Sequence, residues 1–272
     1  MRILNGRAPL QITTLGTCHG RPTHIRYHTS TLLETADRSY LVDCGEPVAA
    51  SMVRRKKEYS ALRAIFITHM HADHVGGLPV LLKQIGHNVV PRDHELSVFM
   101  PPEGKYPMLN WMQAMLVPPD YIRYNLEVWG TREDETVFQD EYVTVTASQT
   151  GHITPPHGLY GDLPLRTDAN AFAYSFDVLG RRVVFSGDQP RDFRYLGDLL
   201  AAPVDVLVME MTHIKPEEVL PFIGKRSIGR LILTHIWDPW HDEGEADLRA
   251  MCEQHLDFPY EVAHDGDEFE IA

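Results

Sequence analysis

Apolar positions along this chain come mostly in short alternating or continuous runs, and only a few stretches repeat them at helical spacing. Residues 10–15 are rich in β-formers and end at Gly16, and residues 31–34 and 40–43 read as paired strands around a turn at Asp37. Residues 47–59 read as a helix with proline in its first turn, where a missing N–H costs no helical bond. Residues 64–67 form an apolar run of strand length; after a polar turn, Gly76-Gly77 opens a helical run to about Gln84. Further strands are predicted at 96–100, 122–129 and 141–147. Residues 171–178 and 182–185 form a hairpin through Leu179-Gly180. The runs 206–209 and 231–233 are uniformly apolar, as strands covered on both faces are, and 268–271 closes the chain. Helices are predicted at 106–116 (Leu109, Met112 and Leu116 on one face, Pro118-Pro119 as the stop), 191–200 and 243–255, and the Pro- and Gly-rich stretch 154–168 reads as a loop.

The strands fall into two clusters, each accompanied by helices. That pattern suits two sheets packed face to face with helices outside. No period of 20–50 residues and no low-complexity linker interrupts it, so residues 1–272 read as one domain.

The chemistry concentrates on the turn after the apolar run 64–67. His69, His71, Asp73 and His74 lie within six residues there. Strand alternation would send His69 and His71 the same way, toward one metal; Asp73 and His74 follow the turn and can face a second position beside it. Imidazole and carboxylate together suit zinc and neighbouring divalent metals. A merely solvated His-rich loop would account for neither the flanking strand nor the Gly-Gly pair.

The segment His69-Met70-His71-Ala72-Asp73-His74 resembles the H-x-H-x-D-H signature of the metallo-β-lactamase superfamily. The family's other marks recur in order: Asp43 after residues 40–42, His152 in Thr150-Gly151-His152, Asp188 in Ser186-Gly187-Asp188, and His235 after Thr234. The resemblance implies an α/β fold, the four-layer αβ/βα sandwich. It implies that His69, His71 and His152 hold one metal, that Asp73, His74 and His235 hold the other, and that Asp188 bridges them. Asp43 would stand behind the ligands, orienting one of them or the bound water. Two divalent ions, zinc first and manganese or iron as alternatives, would make hydroxide from a shared water and serve hydrolysis at a phosphoryl or carbonyl centre.

Residues 15–26 and Asp43-Cys44-Gly45-Glu46 look like ribonuclease Z, the tRNA 3′-end endonuclease. That family's P-x-K-x-R-N loop is matched by Pro22 and Arg26, with His24 and Tyr27 replacing Lys and Asn. Its His-Glu-Ala-Thr motif reads Met209-Glu210-Met211-Thr212, so the proton-donating His is replaced by a Met. His213 is the candidate general acid, with Glu210 as its partner and Asp73 the third residue assigned to catalysis; a His213 that only caps the strand is the other reading. Only 35 residues separate His152 from Asp188, few for a hairpin and a tRNA-gripping arm together. The expected substrate is therefore a small phosphodiester, as in the cyclic phosphodiesterase branch. A tRNA endonuclease is one alternative; a carboxylic ester, lactone or sulfate ester hydrolase is another, and a non-catalytic scaffold a third. Cys18 with His19, His24 and His28 is either a third, structural zinc site or a loop without metal. His157, His213 and His241 are candidates to line the site; His87, His94, His255 and His264 read as surface residues.

A net charge of −13 works against nucleic acid, although it is unevenly spread: residues 1–63 carry ten Lys/Arg against five Asp/Glu, and residues 241–272 carry one against eleven. Arg54-Arg55-Lys56-Lys57 is either a local basic face or, more simply, a solvated helix surface. No apolar run approaches the ~20 residues of a membrane helix, and the start lacks a signal peptide's apolar core. Three widely spaced cysteines imply no disulfide framework, so a reducing cytoplasm is expected. The resemblance allows a homodimer.

Overall fold

The computed structural model describes residues 9–87, 90–117, 122–153 and 169–271. The first residues, Pro118-Pro119 and the loop 154–168 with His157 lie outside the described residues. Two seven-stranded sheets carry the chain. The first runs in the order β14 (Glu268–Ile271), β1 (Leu10–Gly16), β2 (Ser30–Glu34), β3 (Ser39–Val42), β4 (Leu62–Phe66), β5 (Glu95–Met100) and β6 (Asn125–Gly130). The second runs β13 (Tyr260–Val262), β12 (Ile228–Ile236), β11 (Val204–Met211), β10 (Arg181–Phe185), β9 (Phe172–Val178), β8 (Val143–Gln149) and β7 (Thr136–Gln139). From β3 to β6, and from β10 to β13, neighbouring strands are parallel.

The layers follow from the two faces of each strand. In β4, Ala64 and Phe66 face the other sheet while Ile65 faces helices, so the strand is apolar throughout. Phe66 stacks on Phe99 and meets Phe176 edge-on at 5.1 Å, within the core between the sheets. Outside the first sheet pack α1 (Val48–Arg54), α3 (Leu78–Gly86) and α4 (Pro102–Ala114); α2 (Ala72–Val75) is a single turn at the sheet's end. Outside the second pack α5 (Leu196–Leu199), α6 (Pro216–Ile223) and α7 (Gly244–His255). This is the four-layer αβ/βα sandwich. No helix among the described residues is long and apolar enough to cross a membrane.

Several expected elements are corrected. The helix read over 47–59 stops at Arg54, because Arg55 and Lys56 are exposed with nothing to bury and Lys56 takes a positive φ of 54°, and a 3₁₀ turn at Tyr59–Ala61 leads into β4. The helix read over 106–116 starts earlier, with Pro102 at its first position, and Leu116 lies past its end at 80% exposure; Met108 and Met112 carry the buried face. The helix read over 191–200 shrinks to Leu196–Leu199, since Phe193 takes a positive φ of 38°. His94 is buried rather than on the surface, with Nδ1 accepting from Arg63 Nη1 at 3.1 Å.

Candidate metal centre

Parallel strands bring distant segments to one edge. Asp43 follows β3 and His69 follows β4, its parallel neighbour. On the other sheet β8 runs with β10, because each is antiparallel to β9, so His152 after β8 arrives beside Asp188 after β10. Glu210 and His235 lie at the matching ends of β11 and β12. The two sheets are tied together at this edge: Phe172 N donates to Thr68 O at 2.9 Å, and Tyr174 Oη donates to Ile67 O at 3.0 Å.

His69 and His71 do not share a strand face as expected. β4 ends at Phe66, and His71 is the residue that starts α2. Turn geometry, not strand alternation, brings His69 Nε2 to 2.8 Å from His71 Nδ1. His69, His71, His152 and Asp188 each offer a donor atom within 4.8 Å of the others, and so do Asp73, His74 and His235. Asp188 stands between the two groups. Its Oδ2 is 3.6 Å from His69 Nε2, 3.4 Å from His74 Nε2 and 3.6 Å from His152 Nε2. Its Oδ1 is 3.6 Å from His235 Nδ1. His235 Nε2 lies 3.1 Å from His74 Nε2 and 3.2 Å from Asp73 Oδ2.

Outer contacts fix the rings. Asp43 accepts from Thr68 N and, at 2.8 Å, from His74 Nδ1, which turns His74 Nε2 inward. His152 Nδ1 donates to Gln189 O at 3.3 Å, leaving Nε2 facing Asp188. Glu210 is anchored by three backbone donors, Gln189 N, Thr212 N and His213 N, each at 2.9 Å. His213 Nδ1 lies 3.2 Å from both Glu210 oxygens and 3.5 Å from Asp188 Oδ2. The His213 side chain is 33% exposed, so it meets both the cluster and solvent.

The electrostatics ask for positive charge. Burial, reinforced by neighbouring rings, pushes His69 well below the ordinary histidine range, and burial lowers His71 and His152 as well. Burial also works against charge on His74, His235 and His213, yet the carboxylates Asp188, Asp43, Asp73 and Glu210 outweigh it; His235 is raised to about 9. Among the described residues, these four acids make their ion pairs with histidines alone. Two buried ring nitrogens that face Asp188, His152 Nε2 and His235 Nδ1, have no hydrogen-bond partner among the described residues. A buried nitrogen left unpaired costs about 1–3 kcal/mol, and a divalent cation between these groups would satisfy it. The residues present therefore fit metal ions.

Other candidates are sorted by the same geometry. Cys18, His19 and Asp238 come together within 4.8 Å, without His24 or His28. His241 donates from Nε2 to Ile236 O. Arg26 is fully buried beneath the loop, on Thr17 Oγ1, Ala263 O and Glu245. Sequence reasoning missed Asp238, Gln189 and Thr68. Thr68 and Gln189 carried a signal, their places next to His69 and Asp188; Asp238 carried none.

A family model described as "Anti-Pycsar protein Apyc1" matches residues 10–219. The ribonuclease Z of Synechococcus sp. (strain CC9311) is 36% identical over 155 residues, covering 54% of this chain and 47% of its own length. The chain spans about half the length of the curated relatives it matches. Among solved structures, the metallo-beta-lactamase fold protein YhfI from Bacillus subtilis superposes with a TM-score of 0.73 at 18% identity, over 96% of this chain and 99% of that one. The short form of human tRNase Z superposes with a TM-score of 0.71 at 20% identity, over 96% and 99%. The fold is that of the metallo-β-lactamase superfamily, as the histidine motif implied.

Proposed function

This chain belongs to the family of the anti-Pycsar protein Apyc1, and from that premise we propose that it is a binuclear metal-dependent hydrolase of small phosphodiesters. One observation carries the reading: the Asp188 carboxylate stands between two histidine groups, 3.4–3.6 Å from rings of both. His69, His71 and His152 would hold one divalent ion, Asp73, His74 and His235 the second, and Asp188 both; zinc suits this donor set, as do manganese and iron. Such a pair supplies a nucleophile by lowering the pKa of a water, and steadies charge developing on a phosphoryl oxygen.

The chain's own residues do the rest. Asp43 and the Gln189 carbonyl keep His74 and His152 in the tautomer that turns Nε2 inward. His213, held by Glu210, gives its proton to the departing alkoxide oxygen, the task Met209 cannot perform. A small substrate is supported by the short span between His152 and Asp188 and by the fate of the basic stretch. Arg55 is spent on Asp265 O, and Lys57 on Glu34 and Glu268. Beside Pro190, a hollow of about 360 Å³ is lined by Arg191, Arg194 and Lys215, and there too Arg194 pairs with Asp192 and Lys215 with Glu218. The reading extends to a single domain over 1–272 and, with three free buried cysteines, to a reducing cytoplasm.

The test is direct. Metal-loaded protein should hold about two divalent ions per chain by elemental analysis, and it should cleave bis-p-nitrophenyl phosphate faster than p-nitrophenyl phosphate. One ion or none after loading, preference for the monoester, or activity confined to carboxylic or sulfate esters or lactones overturns the reading. The ribonuclease Z relatives favour a second reading, tRNA 3′ processing. It would be recognised by cleavage of a tRNA precursor with binding that falls steeply as salt rises.

A further inference from the structure

We propose that His19, locked by Asp238, is the residue that reads a hydroxyl group of the substrate next to the scissile phosphorus. The inference rests on the phosphodiesterase reading and adds a specificity to it.

The loop that carries His19 is stitched to the strand that carries His235. Ile236 N donates to Thr17 O at 2.8 Å, Cys18 N donates to Tyr27 O at 2.7 Å, and Cys18 forms a bridge to Ile236. The loop runs against the centre: a Cβ added at Gly20 would stand 3.6 Å from Asp73 Oδ2. The His19 ring meets the His235 ring edge-on, with centroids 6.5 Å apart. His19 is therefore at the flank of the second donor group, where the His213 ring also stacks on His235 at 5.6 Å while leaning on His152 at 4.4 Å.

The ring is held by a chain of charges. His19 Nε2 lies 2.6 Å from Asp238 Oδ1, and Arg21 takes the other Asp238 oxygen. A carboxylate paired with a guanidinium only accepts hydrogen bonds, so the His19 proton sits on Nε2. Nδ1 is then a bare lone pair; it has no partner among the described residues and is not sealed from solvent. Arg21 balances the charge of Asp238, so the pair calls for no second proton on the ring. An acceptor at that point offers nothing to a phosphoryl oxygen, but it matches a hydroxyl. A third metal at Cys18, His19 and Asp238 is the competing reading. It would have to displace Arg21 from Asp238, and Cys18 Sγ already donates to Arg21 O at 3.2 Å.

A matched substrate pair tests this: adenosine 3′,5′-cyclic phosphate against its 2′-deoxy analogue, and the dinucleotide ApA against dApdA. In both ribo forms a hydroxyl neighbours the phosphorus. The native protein should prefer the hydroxyl-bearing member by about tenfold or more in kcat/KM, since an unmatched acceptor is left unpaired by the deoxy form. His19→Ala should erase that preference by losing more on the hydroxyl substrate than on the deoxy one. His19→Asn, whose amide oxygen can stand near the place of Nδ1, should keep more of it, and Asp238→Asn should fall between wild type and His19→Ala. Thermal midpoint and metal content are measured on each variant. Cleavage of bis-p-nitrophenyl phosphate with no preference for the hydroxyl, or a preference unchanged in His19→Ala, overturns the inference while leaving the phosphodiesterase reading intact. Equal loss on both substrates, or a third ion per chain that disappears in His19→Ala, overturns it too. Inactivity on every diester is instead the failure of the phosphodiesterase reading, and takes the inference with it.

Discussion

Met209 and His213 lie four positions apart at one end of β11, and only the second can move a proton. Met209 is fully buried in the core, whereas His213 reaches the cluster and solvent with Glu210 behind it. A general acid contributes typically about 10²–10⁴-fold, and only where the leaving group needs protonating. His213→Ala is therefore expected to slow a nucleoside or alkyl diester by about 10²-fold or more. The loss on a p-nitrophenyl diester, whose phenolate departs unaided, should be at least tenfold smaller. Equal losses on both would assign His213 to folding or binding, and no loss on either would make it a bystander. The residues that converge on Asp188 were legible from the His69–His74 motif after an apolar strand and from the ordered marks Thr150-Gly151-His152, Ser186-Gly187-Asp188 and Thr234-His235 that the resemblance supplied. Asp238 was not. Its partner His19 is 219 residues away, and only the pairing of the N-terminal loop with the end of β12 brings them together.

At the scale of elements, strands with a strong apolar signal were legible, and those defined by their neighbours were not. β7 and β13 are short outer strands, half exposed, that exist because an edge was there to pair with. α6 opens and continues on prolines, which read as breaks in the sequence. Pro216 sits at its first position, where proline is harmless. The Leu179-Gly180 turn was legible because both residues take positive φ, 52° and 74°, as a two-residue hairpin requires. Two glycines show what such positions do for the site. Gly187 has φ 55° and the backbone oxygen of Phe172 where a Cβ would go, immediately before Asp188; Gly180 has open space around it. Gly180→Ala should cost only the left-handed penalty of about 1–2 kcal/mol, a few degrees of thermal midpoint, with both ions retained. Gly187→Ala adds a backbone collision that must shift Asp188 or β9. It should lower the midpoint by about 5 °C or more and weaken metal retention, read by elemental analysis after dialysis against chelator. Equal metal retention in the two variants would mean that the β10 turn does not set Asp188.

For the whole molecule, the uneven charge along the sequence turns out to be internal complementarity. The basic N-terminal quarter meets the acidic C-terminal segment in Lys57–Glu268, Arg26–Glu245 and Arg55 on the Asp265 carbonyl. Among the described residues the acids of the metal centre have no such cations, so the metal-free protein must draw protons onto His74, His213 and His235. Burial opposes this, and Asp188 with Asp73 and Glu210 overrides it, raising His235 to about 9. A raised histidine stabilises the fold fully below its unfolded value of about 6.5, and the contribution is lost as pH rises through the folded value. Between pH 6.5 and 9, metal-free protein should lose on the order of 3 kcal/mol from this group, or roughly 5–10 °C of thermal midpoint. Metal-loaded protein should run the other way, because ions compete with those same protons and bind more tightly as pH rises. The gap between the two midpoints should thus widen steadily from pH 6.5 to 9. Melting curves at matched salt, with and without a chelator, measure it. A gap that stays constant over that window would mean that protons and metal ions do not share this site.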